Sequence, residues 1–590
     1  MAYVGRSIHV WRVDNVNKGK KGVLTEVLMR SRRSALRLLG LGGIGGVGLL
    51  IACRPTAPAT SNNAPPATVA PIVPQQATPL PVVAPAAPTA APTPATAIKR
   101  GGQATILQTN DFVSMDPIFA SGPTAAACYD WLLAWRPNAD GTYAVQPSLA
   151  KAWETSADKV VFHLRDGVKF HDGSPLTADV VAWNVGRMVQ NPKSFARNYL
   201  LAVDANNPAT VIDPLTVQVN LTRPSAAVLA NLSDSGAQGN NTAIVSKKAA
   251  DDHGEEWLAL NPVGTGPFQF VSFASGDKLQ VRRNESYWQT GTDGKPLPYM
   301  DGITYRVIVE ATTQFNEMRA GTSDFAMNVL GRNVPAAKQI PHAKYTESPF
   351  AGNKRQYFFN SLKPPFQDNL ALRQAVHYAV DRDAIAKAVG GGFGFSLPYE
   401  FVPGAIGYDQ NVPFYAFDMD KAKQRLQESG VTTPLEVRMT VHNREQDVQQ
   451  AQLIQQMVDK IGIKLNLDVV ERVAWGEKVR IQNDFQMASR QSGVAVDPTD
   501  DLLVTWAEGG NSAYHRAHVP GLIDTLHQAD AEYDQAKRQA LFVQAQKLMY
   551  ESAWFGYIWF EPGNFLVHNR VQGFPGTWGS LRESEWWLNS

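Results

Sequence analysis

Residues 54–99 constrain every other reading of this 590-residue chain. They are mostly proline, alanine, threonine and valine, carry almost no charge, and show neither a helical nor a strand period. Such a stretch has no apolar face to bury, and its prolines lack the backbone N–H that a helix or sheet needs, so it stays semi-extended. At about 3.1 Å per residue it reaches on the order of 140 Å. The tract is a tether between a short amino-terminal piece, 1–53, and a body, 101–590, that is long enough for two or more cores.

The piece before the tether reads as an address. From Ser31 it runs SRRSALRLLGLGGIGGVGLLIAC, with Arg32 and Arg33 ahead of an uncharged run, 38–52, that ends at Cys53. A positive region, a short apolar region and a small residue before a cleavage point is export-signal order. The apolar run is too short to span a bilayer as a permanent helix. Gly40, Gly42, Gly43, Gly45, Gly46 and Gly48 keep it weakly hydrophobic, and with the arginine pair it resembles a twin-arginine signal, although Ala35 stands where an aromatic is usual. Leu50-Ile51-Ala52-Cys53 resembles the lipobox of bacterial lipoproteins. That resemblance implies a diacylated Cys53 as the new first residue, anchored by acyl burial at about 0.8 kcal/mol per methylene. The alternative is a buried apolar segment with an incidental cysteine. Residues 1–28 lack the form of a signal start, which points to Met29 as the initiator. Arg54, after the cysteine, is not the aspartate that holds lipoproteins at an inner membrane, a distinction that matters where two membranes exist.

The chain as a whole is electrically balanced: 55 basic against 54 acidic residues give +1, which does not indicate a surface for polyanions. Two cysteines, Cys53 and Cys128, leave no disulfide framework. Fourteen tryptophans are many, and suit a protein that holds a ligand on apolar faces. Most of those near the end (Trp554, Trp559, Trp578, Trp586, Trp587) are expected in the core.

In VKFHDGSPLTADVVAW, 168–183, His171 and Asp172 invite a catalytic or metal reading. The flanking pattern argues for structure instead. Val160–Leu164 is strand-like, Asp166-Gly167 and Asp172-Gly173 are turn signals, and Val168–His171 reads as a returning strand. Thr177 then caps a helix with Val180, Val181 and Val185 on its apolar face and Asp179 near its positive end. No nucleophile motif stands beside the pair, and one histidine does not make a metal site.

These blocks resemble the family 5 extracellular solute-binding proteins of ABC importers, the oligopeptide, dipeptide and nickel binders. NPVGTGPFQF (261–270), NESYW (284–288), MDGITYRVIVEATTQFNEMRAGTSDFAM (300–327) and YFFNSLKPPFQDNLALRQAVHYAVDRDAI (357–385) follow in the family's order. The resemblance implies an α/β, two-lobed periplasmic-binding-protein fold, class II and of the large type with an extra subdomain. The ligand cleft lies between lobes joined by a hinge, whose closure presents the lobe edges to a permease. The expected segments are 101–145, the first part of lobe I; 146–261, its peripheral subdomain; 262–356, its second part; 357–559, lobe II; and 560–590, a return to lobe I. No cofactor or metal is implied, and the chain is expected to be a monomer outside the cytoplasmic membrane.

In peptide-binding members an aspartate in a W-x-x-D-Y-x-D-P stretch pairs with the peptide's amino group. The matching region here is FQMASRQSGVAVDPTDDLL, 485–503. Asp497-Pro498 fits the end of that pattern, but the anchoring position falls on Val494, or on Ala495 if the gap is placed differently. Neither side chain neutralises an ammonium group, and burying one unpaired costs several kcal/mol. Arg490 and Gln491 offer donors to an acidic, hydroxylated or amide ligand, Trp475 a face to stack on, and Asp111 and Phe112 the rim of the other lobe; each is otherwise a surface or core residue. Peptide is the family's default ligand; an opine-like compound or an oligosaccharide is the alternative.

Other features read as structural. His515 and His518 have a metal-compatible spacing, but Pro520-Gly521 puts them in a loop. Cys128 is expected in a helix with Trp131, Leu132 and Trp135, as a small buried hydrophobe. Residues 534–554 form an amphipathic helix with Asp534, Lys537 and Arg538 on a solvated face, and 418–430 form another that ends at Gly430. An exported enzyme is disfavoured, because the body has no dinucleotide glycine motif, cysteine cluster or triad signature. A sensory receptor on the same fold stays open.

Overall fold

In the computed structural model the described residues are 98–590, without 120–125, 139–142, 236–238, 496, 508–511, 577–580 and 590. Met29, the signal with Arg32, Arg33 and Cys53, and the tether up to residue 97 lie outside the described residues. Among those described, no helix is long and apolar enough to cross a membrane.

One eleven-stranded sheet carries both lobes. Its path runs Ile463–Val470, Leu435–His442, Met487–Gly493, Ala343–Phe359, Phe555–His568, Phe325–Met327, Gln103–Gln108, Gly302–Val307, Lys278–Arg283, Phe268–Ala274, with Phe395–Ser396 beside Phe555–His568. Two antiparallel strands, Ala343–Phe359 and Phe555–His568, are long enough to take part in both halves. Ala343–Ser348 against Gly563–His568 continues toward Phe325–Met327, whereas Gly352–Phe358 against Phe555–Pro562 continues toward Met487–Gly493. Register shifts between Ser348 and Gly352, where a Cβ on Gly352 would lie 2.1 Å from the Glu561 carbonyl oxygen, so the approach requires glycine.

Each half has its own core. In the first, Ile106, Phe268, Ile303, Phe325 and Trp586 are buried together; in the second, Tyr357, Phe359, Val376, Met439, Ile454 and Trp559. The second half is built in part by period: Val437, Met439 and Val441 alternate inward along one strand. The helix Glu445–Asp459 then buries Ala451, Ile454 and Val458 while crossing to the parallel neighbour Ile463–Val470. A separate four-stranded sheet, in the order Ala150–Thr155, Lys159–Leu164, Thr216–Asn220, Ala209–Asp213, packs with the helix Ala178–Gln190 over a third core. Of the carboxyl-terminal tryptophans in the described residues, Trp554, Trp559 and Trp586 are buried and Trp587 half-buried.

Three local expectations need correction. Cys128 ends a short 3-10 turn, Ala126–Cys128, and the chain then enters a strand, Leu133–Pro137, rather than a helix. That strand pairs with Tyr143–Pro147, Trp135 stacks on Tyr143, and Asp234 accepts from the Trp135 N–H at 2.7 Å; cross-strand contacts outweigh local helix preference. Cys128 itself is a fully buried free thiol, with its pKa pushed up by desolvation. Val168–His171 is not a strand: Lys169 and Pro175 make a single bridge, and Lys159–Leu164 takes Ala150–Thr155 and Thr216–Asn220 as partners. On the helix Gln535–Ser552, Arg538 is buried instead of solvated, held by a partner far away in sequence.

His171 and Asp172 are bound into the fold. The His171 N–H donates to Gly264 O at 2.9 Å, and its Nε2 lies 2.9 Å from Gly266 O. Asp172 accepts from Ser174 N and Oγ and, at 2.5 Å, from Ser246 Oγ. Thr177 caps the following helix by accepting from Val180 N.

The third core meets the second through a buried ionic contact. Asp530, at the end of the helix Leu522–Ala531, pairs with Arg223 and accepts from Ser225 Oγ at 2.9 Å and Ala227 N at 3.2 Å. The Ala226 N–H donates to the Asp530 carbonyl at 2.7 Å. Asn231 Nδ2 donates to Asp500 Oδ2 at 2.7 Å, and Arg223 lies 4.0 Å from Asp500 Oδ1. Burial raises the pKa of both carboxylates, and each is also raised by another acid, Asp530 for Asp500 and Asp497 for Asp530.

Candidate functional site

The candidate site lies on one face of the second half of the sheet, where Met487–Gly493, Ala343–Phe359 and Phe555–His568 run side by side. Register sets Gln356 opposite Arg490 on one side and Tyr557 on the other. The next inward positions are Lys354, beside Ser492 and Phe560, and Phe358, beside Ala488 and Phe555. With a strand period of two, these side chains share a face. The helix Thr499–Trp506 follows Arg490's strand in sequence and brings Thr505 to it: Arg490 Nη2 donates to Thr505 Oγ1 at 3.2 Å. The Arg490 guanidinium lies 5.9 Å from the Tyr514 ring centre and 5.7 Å from that of Phe555, within cation–π range. Tyr399, Glu400, Gln546, Tyr550, Phe555 and Tyr557 border an adjoining space of roughly 390 Å³, counted with its opening to solvent.

Charge within this face is unevenly settled. Glu400 is buried and ion-paired with buried Lys354. Burial and the neighbouring Glu400 carboxylate, to which Tyr557 is hydrogen-bonded, push the tyrosine well above its usual pKa. Gln356 Nε2 donates to Ser492 Oγ at 3.0 Å, while its buried Oε1 has no partner among the described residues. Among the described residues, both amide atoms of buried Gln546 lack partners, as do Nε1 of Trp475 and of Trp506.

The residues expected from sequence fall into two groups. Arg490 and Trp475 come together through Tyr514, which Trp475 meets edge-on at 5.7 Å. Val494 is half-buried and packs on an apolar cluster that includes Leu397, Tyr399, Val402 and Phe560. Gln491 accepts from Arg444. The other three are occupied elsewhere. Phe112 is 2 % exposed, edge-on to Phe273 and Tyr305 in the first core. Asp111 accepts from Ser275 Oγ at 2.6 Å and Gly276 N at 2.8 Å, and its pKa is lowered by the Ser275 bond. Asp497 receives both guanidinium nitrogens of Arg538, at 2.5 and 2.9 Å, and the Thr499 hydroxyl at 2.7 Å. Burial alone would raise the Asp497 pKa, but Arg538 wins and holds it below the usual range. Asp497 thus starts the helix that carries Thr505. His515 is also spent: its Nε2 lies 2.9 Å from Thr505 O, and its Nδ1 accepts from Ala517 N.

Lys354, Gln356, Glu400, Gln546 and Tyr557 were not legible as site residues. The available signal was three polar residues, Lys354-Arg355-Gln356, leading directly into the apolar Tyr357-Phe358-Phe359 of one buried strand.

The sequence model of the bacterial extracellular solute-binding proteins, family 5 (middle region), matches residues 144–514, well over half of the chain. The chain belongs to this family. The dipeptide-binding protein of Escherichia coli K12 is 29% identical over 490 residues, covering 77% of this chain and 86% of that protein. Among solved structures, the ABC transporter-associated periplasmic binding protein DppA from Helicobacter pylori, in complex with the peptide STSA, superposes with a TM-score of 0.71. It is 24% identical, with 83% of this chain and 99% of that one covered. AgaA from A. tumefacien R10, in complex with agropinic acid, gives a TM-score of 0.68 at 24% identity, covering 83% of this chain and 99% of its own. These likenesses establish the two-lobed α/β fold. The family 5 protein described here is therefore a solute-binding protein of the ABC-importer type and not an enzyme.

Proposed function

We propose that this family 5 protein is a lipid-anchored extracytoplasmic receptor that captures an organic solute between its lobes and delivers it to an ABC permease. Cys53 carries the lipid, residues 54–99 are the tether, and the body acts as a monomer without cofactor or metal. The observation that carries the ligand reading is Val494. Where peptide binders hold an ammonium group with an aspartate, this chain presents a valine packed against the apolar cluster that includes Leu397, Tyr399, Val402 and Phe560. An ammonium group against that surface loses its hydration and gains no partner. The family default, a peptide held by its free amino terminus, is therefore disfavoured relative to a blocked peptide, an opine-like compound or a sugar derivative.

The test is thermal stabilisation of the mature chain by free peptides, the same peptides N-acetylated, oligosaccharides and opine-type compounds. A ligand at about 100 times its Kd adds roughly 2.7 kcal/mol, a readable shift. Stabilisation by acetylated peptides or sugars is expected; stabilisation by free peptides alone refutes the reading of Val494.

A further inference from the structure

From the unpaired donors on this same face, we infer that the solute carries a carboxylate, or an oxyanion of similar shape, and that Arg490 is its anchor. The inference rests on the chain being a solute receptor and adds what kind of solute it takes.

Arg490 takes part in no ion pair among the described residues, and its one side-chain hydrogen bond goes to a hydroxyl, Thr505 Oγ1. A guanidinium has five N–H donors in a planar fork, so most of its bonding capacity is left for a ligand. The rings of Tyr514 and Phe555 hold the fork in place without neutralising it. The same two rings touch Trp475 and Trp506, whose buried indole N–H groups have no partner among the described residues. The buried Gln546 amide, bordering the space beside Phe555, adds further unmet capacity. A cluster rich in donors calls for an acceptor with several lone pairs, and a carboxylate supplies about four.

The nearby acids do not cancel this charge. Glu400 is taken by Lys354, Glu561 by Arg355, and Asp497 by Arg538. Asp501 is half-buried, one helical turn before Thr505, and takes part in no ion pair among the described residues. The unpaired Gln356 Oε1, between Arg490 and Tyr557 in register, would accept from a hydroxyl or amide N–H on the same solute.

The experiment compares acids with their own amides on the full mature chain. N-acetylated di- and tripeptides and hexuronic acids are each tested beside the matching carboxamide, by thermal shift and then by calorimetry. In the natural protein the acids are expected to stabilise and the amides not. Arg490→Gln should weaken acid binding about 10- to 100-fold, the range for a hydrogen bond to a charged group, with Arg490→Lys between and Asp501→Asn close to the natural value. Near-UV circular dichroism establishes that each variant is folded, and the acid–amide comparison in the natural protein needs no variant. Equal stabilisation by amides, or full binding by folded Arg490→Gln, overturns the carboxylate anchor and leaves the receptor reading standing. If no compound of either kind shifts the natural protein, the receptor reading for these solute classes falls with it.

Discussion

Replacing Arg223 by methionine tests whether the contact between the four-stranded sheet's core and the second lobe is held by charge. Arg223 is the cation nearest to two buried carboxylates, Asp530 and Asp500, on the opposite side of that contact. Breaking a buried pair by removing one partner costs about 3–5 kcal/mol. The Arg223 side chain is 23% exposed, so water partly compensates and a loss near the lower end, about 3 kcal/mol, is expected at pH 7. The loss should depend on pH in one direction. Burial already raises both carboxyl pKa values above 3.8, and Arg223 opposes that rise. Without the guanidinium both rise further, so the folded variant binds more protons than its unfolded chain above pH 3.8. Its stability then falls as pH rises through that window, and the gap to the natural protein widens from pH 4.5 to pH 7. Urea unfolding of both proteins at the two pH values measures this. A loss below about 0.5 kcal/mol at pH 7, or an equal loss at both, would refute a charge-held contact.

Cys53→Ser should abolish incorporation of labelled palmitate and move the protein from the membrane to the soluble fraction. Val494→Asp should shift preference toward free over N-acetylated peptides in a calorimetric comparison, with a stability cost of about 1–3 kcal/mol for placing a carboxylate on the apolar cluster. His377 and His515 are fully buried, with pKa values lowered by desolvation to about 3 each. Between pH 3 and 6.5 the unfolded chain binds more protons at both sites, so stability should rise with pH, by up to about 1.4 kcal/mol per unit for each. A urea titration series should show a shallower slope for folded His515→Gln.

How far the sequence revealed this molecule depended on whether a residue's partner was near or far along the chain. The helix after Thr177 and the Asp172-Gly173 turn depend on neighbours a few residues away, so cap and turn chemistry announced them. The helix after Asp534 was visible for the same reason, yet the role of Arg538 was not, because its partner Asp497 is 41 residues away. Leu133–Pro137 looked helical until its strand partner, Tyr143–Pro147, is considered. Val494 and Arg490 stood out through a departure from a family pattern. Lys354 and Glu400 did not, since an ion pair across 46 residues leaves no local signal.

The strand order also fixes when the protein can finish folding. Phe325–Met327, at the heart of the first lobe's sheet, takes Phe565–Val567 as its neighbour, and Trp586 fills the core beside Phe325. A growing chain therefore leaves that lobe unsealed, with apolar surface showing, until nearly all of it has been synthesised. Folding that waits on such distant contacts is slow. A nascent chain held this way needs protection from aggregation, and the first lobe cannot mature ahead of the second merely because it is made first.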